Sequence, residues 1–139
     1  MKATANRILV LEDEEPLLLM LKRHYTSFAF EVDTARQEEL ARRLLVKNSY
    51  AVVILDLGLT RLDHTGGLDL IGLIKKQNPN TGIVVYTGNH SPDVAELAMR
   101  LGADSFVVKP VPLSDLDQIV FRLCRMDLAV VSQRRHGFP

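Results

Sequence analysis

The sequence predicts a doubly wound α/β domain with a five-stranded parallel sheet, and three observations carry that reading. Short, continuous apolar runs recur along the chain. The stretches between them repeat their apolar residues at the helical period. The two kinds of segment alternate five times with no internal repeat or low-complexity stretch, the pattern of a sheet covered on both faces by crossover helices.

Taken in order, Ile8-Leu9-Val10-Leu11 has the unbroken apolar character of a strand buried on both faces. Pro16 suits the first turn of a helix running to about Ser27. Phe28 to Val32 reads as a weaker, edge strand. On the second helix, Glu38 with Arg42 and Glu39 with Arg43 form i, i+4 pairs in the favoured order, each worth about a few tenths of a kcal/mol. Ala51 to Leu55, Ile83 to Tyr86 and Phe106 to Val108 supply the remaining strands. Val94, Leu97, Ala98 and Leu101 repeat at i, i+3, i+4, i+7, behind a Ser91-Pro92 start and ahead of Gly102, a natural residue just past a helix end. Leu116, Ile119, Val120 and Leu123 repeat in the same way. Their stripe extends through Met126 or Asp127 to Val130, which would leave Phe121, Ala129 or Val131 partly exposed. The expected division is a domain over residues 5–126 and a helix extension, linker or disordered tail over 127–139.

Composition narrows the function. A chain of 139 residues, 47% hydrophobic and 24% charged, fits one globular domain and leaves no room for a second, output domain. Seventeen basic residues balance seventeen acidic ones, so no net field would hold the chain on nucleic acid or an anionic membrane. Direct nucleic-acid binding is therefore not expected. The single cysteine, Cys124, cannot form an internal disulfide, and no cysteine and histidine cluster has zinc-ligand spacing. A reducing cytoplasm suits such a chain, and no signal peptide or membrane span is readable.

The chemistry lies where the strands stop. Doubly wound sheets bind ligands at the carboxyl ends of their strands, and Glu12-Asp13, Asp56, Thr87 and Lys109 all stand at or just past such ends. Three crowded carboxylates either retain a proton or hold a cation between them, and an all-oxygen set suits magnesium. Glu12 to Glu15 are equally the acidic residues that a helix N-terminus favours. Asp56 is either a nucleophile toward a phosphoryl donor or a turn residue capping Leu57-Gly58. Lys109 precedes Pro110, which cannot donate to a ladder, so the last strand should stop with an ammonium at its end, able to pair with Asp56 or simply solvated. Thr87-Gly88 offers a hydroxyl beside a residue without a side chain, or merely a β-branched strand residue.

In this order and on these strand ends, Glu12-Asp13, Asp56, Thr87-Gly88 and Lys109-Pro110 resemble the residue set of receiver domains of two-component response regulators, similar to the chemotaxis-type single-domain receivers. The resemblance runs from about Arg7 to Arg125. It implies a flavodoxin-like (βα)5 fold with strand order 2-1-3-4-5. It also implies a signalling module, not a conventional turnover enzyme, phosphorylated on Asp56 by a histidine kinase or phosphotransfer protein with Mg2+ or Mn2+. Asp13, Asp56 and the backbone carbonyl of Gly58 would hold the metal, with Glu12 acting partly through water. Thr87 would turn toward the phosphoryl group and Phe106 would swing inward behind it; without the resemblance Phe106 is a core aromatic. The face formed by the fourth helix, fifth strand and fifth helix would carry the signal to a downstream protein or output domain, or to a second copy. The Lys109-Pro110 peptide would be cis.

Two features depart from the family pattern. Thr60 stands where a proline is common, and Asp63-His64-Thr65-Gly66-Gly67 lengthens the following loop by about three residues. The extended last helix is the other. Other readings are a receiver-like scaffold that no longer signals by phosphate, a phosphatase of the haloacid dehalogenase kind and a flavodoxin. The phosphatase needs a second aspartate two residues after its nucleophile, where Gly58 stands, and Glu12 to Glu15 would repel a flavin phosphate.

Overall fold

Burial on both faces decides which apolar runs take the middle of the sheet. In the computed structural model, which describes residues 6–59, 66–89 and 91–125, the strands are β1 (Arg7–Leu11), β2 (Glu31–Ala35), β3 (Val52–Leu55), β4 (Gly82–Thr87) and β5 (Ser105–Val108). All pair in parallel, in the order β2-β1-β3-β4-β5. The central strands β1, β3 and β4 are the unbroken apolar ones, and Ile8 to Val10, Val52, Val53 and Ile83 to Val85 lose all contact with solvent. Polar Glu31, Asp33 and Thr34 leave β2 at an edge.

The helices are α1 (Glu15–Thr26), α2 (Glu38–Lys47), α3 (Gly66–Gln77), α4 (Pro92–Leu101) and α5 (Leu113–Leu123). Because side chains alternate along a strand, the sheet feeds two cores. Ile8, Val10, Ile54, Val84 and Tyr86 pack with α1 and α5 on one face. Leu9, Leu11, Val53, Leu55 and Val85 pack with α2, α3 and α4 on the other.

Three sequence expectations need correction. The second strand begins at Glu31, not Phe28, because Phe28 and Phe30 turn into the core and are almost fully buried. Leu97 is not part of the buried stripe of α4, which rests on Ala98, and Leu97 with Met99 is exposed. Phe121 is buried, not exposed: its ring stacks on Phe30 at 5.9 Å and meets Phe28 edge-on at 5.1 Å. Both corrections to the aromatic positions have one cause, since a core pocket for Phe121 exists only when Phe28 and Phe30 leave the strand.

Helix punctuation is as expected at Pro16, Pro92 and Gly102. Ser91 occupies the N-cap of α4, although its side chain makes no capping bond. Gly102 has φ 121°, and a Cβ there would sit 2.5 Å from Lys75 Cγ, so both backbone and packing call for glycine. Lys75 in turn ties α3 to the starts of β4 and β5 by donating to the Thr81 carbonyl (2.8 Å) and Asp104 (3.1 Å). Glu38 pairs with Arg42 as expected. The loop 60–65 with His64, and the stretch from Met126 onward, lie outside the described residues.

The aromatic cluster gives the first test. Phe121→Ala should lower unfolding free energy by about 3 to 4 kcal/mol, as for other buried Phe truncations, read from urea denaturation curves; a loss near zero would mean that the ring is exposed as the helical stripe alone suggests.

Candidate functional site

Backbone pairing carries the sheet one residue beyond three of its strands. The Glu12 N–H donates to the Ala35 carbonyl (3.0 Å), the Asp56 N–H to Leu11 (3.0 Å) and the Lys109 N–H to Thr87 (2.8 Å). The three functional side chains therefore start from ladder positions and inherit the rigidity of the sheet.

Lys109 Nζ donates to Glu12 Oε1 at 2.5 Å and to Asp56 Oδ2 at 2.9 Å. Asp13 completes an acidic group, in which one oxygen each from Glu12, Asp13 and Asp56 lies within 4.8 Å of the others. Residues 97 and 53 positions apart in the chain thus meet at one ammonium. Asp56 also accepts the Gly58 N–H on Oδ1 at 2.9 Å. The turn role that its spacing allowed is real, and it occupies one carboxylate oxygen while the other faces Lys109.

Burial sets the charge states apart. Glu12 is 2% exposed, and desolvation raises its carboxyl to about 7 against the opposing pull of Lys109 and the Glu14 N–H. Burial acts on Asp56 in the same direction but is outweighed by the Gly58 N–H, Lys109 and the Thr87 hydroxyl, which hold that carboxyl below its ordinary range. Burial would lower Lys109, yet its two carboxylate partners raise it. Of the two carboxylates that share Lys109, Asp56 is therefore the one whose ionised form its surroundings favour.

Thr87 closes β4 and is buried. Val85 pairs with Phe106 and Thr87 with Val108, so Phe106 lies on the sheet face of Thr87, one diagonal step away. It is half-buried against the core of α2, α3 and α4. A Cβ at Gly88 would meet nothing within 4 Å, so the space beside Thr87 is open. The Lys109-Pro110 peptide is cis.

Two residues of this neighbourhood escaped the sequence reading. The Tyr86 ring lies under Lys109 Nζ, 5.6 Å from its centroid, a cation–π position. The Arg36 guanidinium donates to the Asp13 carbonyl from Nη2 (3.1 Å) and Nε (3.3 Å). Placing the second strand three residues too early hid Arg36, because only a strand ending at Ala35 brings it to the carboxyl edge.

The donor set fits magnesium. It offers hard oxygens only, clustered at one rim, and too few to close a shell, which leaves positions for water and phosphoryl oxygens.

The comparisons agree with this geometry. The family model for the response regulator receiver domain matches residues 8–121. The chain belongs to the response regulator receiver domain family. Phosphorylation-dependent signalling is the general function of these modules, which bind Mg2+ at an acidic pocket. Among curated relatives, the chain is 29% identical over 120 residues to response regulator protein PilR of Pseudomonas aeruginosa, covering 86% of this chain and 26% of that protein. It is 28% identical over 109 residues to the photosynthetic apparatus regulatory protein RegA of Rhodovulum sulfidophilum, covering 78% and 58%. The chain thus spans about a quarter of PilR and somewhat under two thirds of RegA. The crystal structure of a receiver domain from Clostridium thermocellum superposes with a TM-score of 0.76 at 32% identity, covering 86% of this chain and 94% of that one. No helix among the described residues is long and apolar enough to cross a membrane.

Lys109 bears the positive charge that this receiver's acidic group requires. In metal-free buffer at pH 8, Lys109→Met should destabilise the fold by about 3 to 5 kcal/mol, the range for a buried ion pair deprived of one partner, in urea unfolding. Unchanged stability would mean that solvent already screens the carboxylates.

Proposed function

We propose that this receiver accepts a phosphoryl group on Asp56 from a histidine kinase or phosphotransfer protein and passes the change to a partner. The observation that carries the reading is the pair of hydrogen bonds that Lys109 Nζ donates to Glu12 and Asp56 with Asp13 alongside. Glu12, Asp13, Asp56 and the Gly58 carbonyl would hold Mg2+ or Mn2+. When bound, the ion supplies charge neutralisation for the carboxylates and the incoming phosphoryl oxygens.

An oxygen of ionised Asp56 attacks phosphorus, the bond from phosphorus to the donor breaks, and the leaving group takes its proton from solvent. No base is needed, because the low carboxyl pKa already leaves Asp56 deprotonated. Lys109 pairs with the arriving oxygens. Thr87 offers a hydroxyl donor from the adjoining strand end, and its motion would free space for Phe106 on the same sheet face. That couples the site to the surface of α4, β5 and α5, where Leu97, Met99 and Val108 are exposed. A downstream protein, an output domain or a second copy would read that surface. Residues 5–126 would form the receiver, in the cytoplasm.

With magnesium and a small acyl phosphate, the wild type should gain one hydroxylamine-labile phosphoryl group by intact mass, and Asp56→Asn none. Equal uptake by the substituted chain would move the acceptor elsewhere and sink the assignment. Thr87→Ala should still take up phosphate but lose most of the change in Phe106 ring resonances on beryllofluoride binding; an undiminished NMR response would remove Thr87 from the switch.

A further inference from the structure

Asp13 sits in the irregular Glu12 to Glu14 connection between β1 and α1, outside any ladder. Its neighbour is well tied down: Glu12 donates its N–H to Ala35 and accepts the Glu14 N–H on its carboxylate at 3.1 Å. The main chain of Asp13 is held from the side by Arg36, whose Nη2 and Nε both point at the Asp13 carbonyl, while Nη1 reaches Glu15 Oε2 at 3.4 Å. One planar fork thus joins the edge strand to the start of α1 across the acidic loop. A lysine could not reproduce it, since an ammonium is a point donor.

The position of Arg36 creates two effects of opposite sign on a cation held by the carboxylates. Its charge repels the ion, and its fork holds the Asp13 carbonyl, part of the backbone from which the carboxylate projects. The side chain is 57% exposed, so water screens the repulsion. The anchoring is a pair of short-range hydrogen bonds, on which salt screening acts less than on the longer-range repulsion.

We infer that Arg36 is a positioning residue for the divalent-cation site, its fork on the Asp13 carbonyl keeping the Asp13 carboxylate beside Glu12 and Asp56. The inference rests on the metal role given to Asp13 above. Its consequence runs against simple charge counting: deleting this cation weakens magnesium binding.

The experiment is calorimetric titration of the full chain with magnesium alone, comparing wild type, Arg36→Ala, Arg36→Lys and Asp13→Asn. Arg36→Ala should bind about tenfold more weakly, the low end for lost outer contacts at metal sites. Arg36→Lys should also be weakened, because it keeps the charge without the fork, and Asp13→Asn should be weakest. Phosphorylation of Arg36→Ala by a small acyl phosphate should be slow at limiting magnesium and return to the wild-type rate at saturation. A general loss of stability would not be cured by magnesium in that way, and urea unfolding of each variant measures it directly. Unchanged or tighter magnesium binding by Arg36→Ala, with Asp13→Asn weakened, overturns the role of Arg36 alone. Wild-type affinity in Asp13→Asn overturns the metal assignment and this inference with it.

Discussion

Three carboxylates with oxygens within 4.8 Å of one another must either retain a proton or have positive charge beside them, and the residues at the carboxyl edge of the sheet are arranged around that constraint. The charge comes from Lys109, carried to the acidic rim at the end of a short edge strand. Glu12 shows how tight the balance is: even beside an ammonium, burial leaves its carboxyl raised to about 7. Asp56 escapes the same fate through the Gly58 N–H and the Thr87 hydroxyl, which stabilise its ionised form. Two carboxylates sharing one lysine are thereby given different proton affinities by their surroundings.

The sheet makes this possible by dividing its labour between faces. The pleat sends Tyr86 toward α1 and α5, where its ring supports Lys109, and sends Thr87 toward the opposite face, where Phe106 lies. Consecutive residues at one strand end thus serve two ends: one steadies the ammonium and the next connects to the outer strand. The parallel order puts β1 between β2 and β3, so the acidic loop after β1 is reached from Arg36 on one side and Asp56 on the other.

The central strands and the site residues were legible because their signals are local. Strands buried on both faces must be uniformly apolar, and a charged residue directly after such a run has few places to be except the rim. The edges were not legible in the same way. β2 is polar, so the aromatic residues before it looked like the strand itself, and only the cluster of Phe28, Phe30 and Phe121 shows that those rings belong to the core. Leu97 fits a helical stripe yet faces outward, because α4 meets the sheet through the smaller Ala98. Arg36 and Tyr86 carry no motif at all. Their parts follow from which strand end adjoins which, knowledge that only the register supplies.

The sharing of Lys109 also bears on how such a site could switch. In the resting arrangement the ammonium satisfies Glu12 and Asp56 together, so neither partner holds it alone. A phosphoryl group on Asp56 would add roughly 1.5 to 2 negative charges beside that ammonium. Thr87 is the nearest hydroxyl on the adjoining strand end, and its present bond to the Asn89 N–H is a long one at 3.3 Å. A ligand shifts a conformational equilibrium only through contacts that differ between the two states. In the proposed switch that difference would fall on Thr87, whose hydroxyl already stabilises ionised Asp56 and whose movement toward added phosphoryl oxygens would change the room available to Phe106.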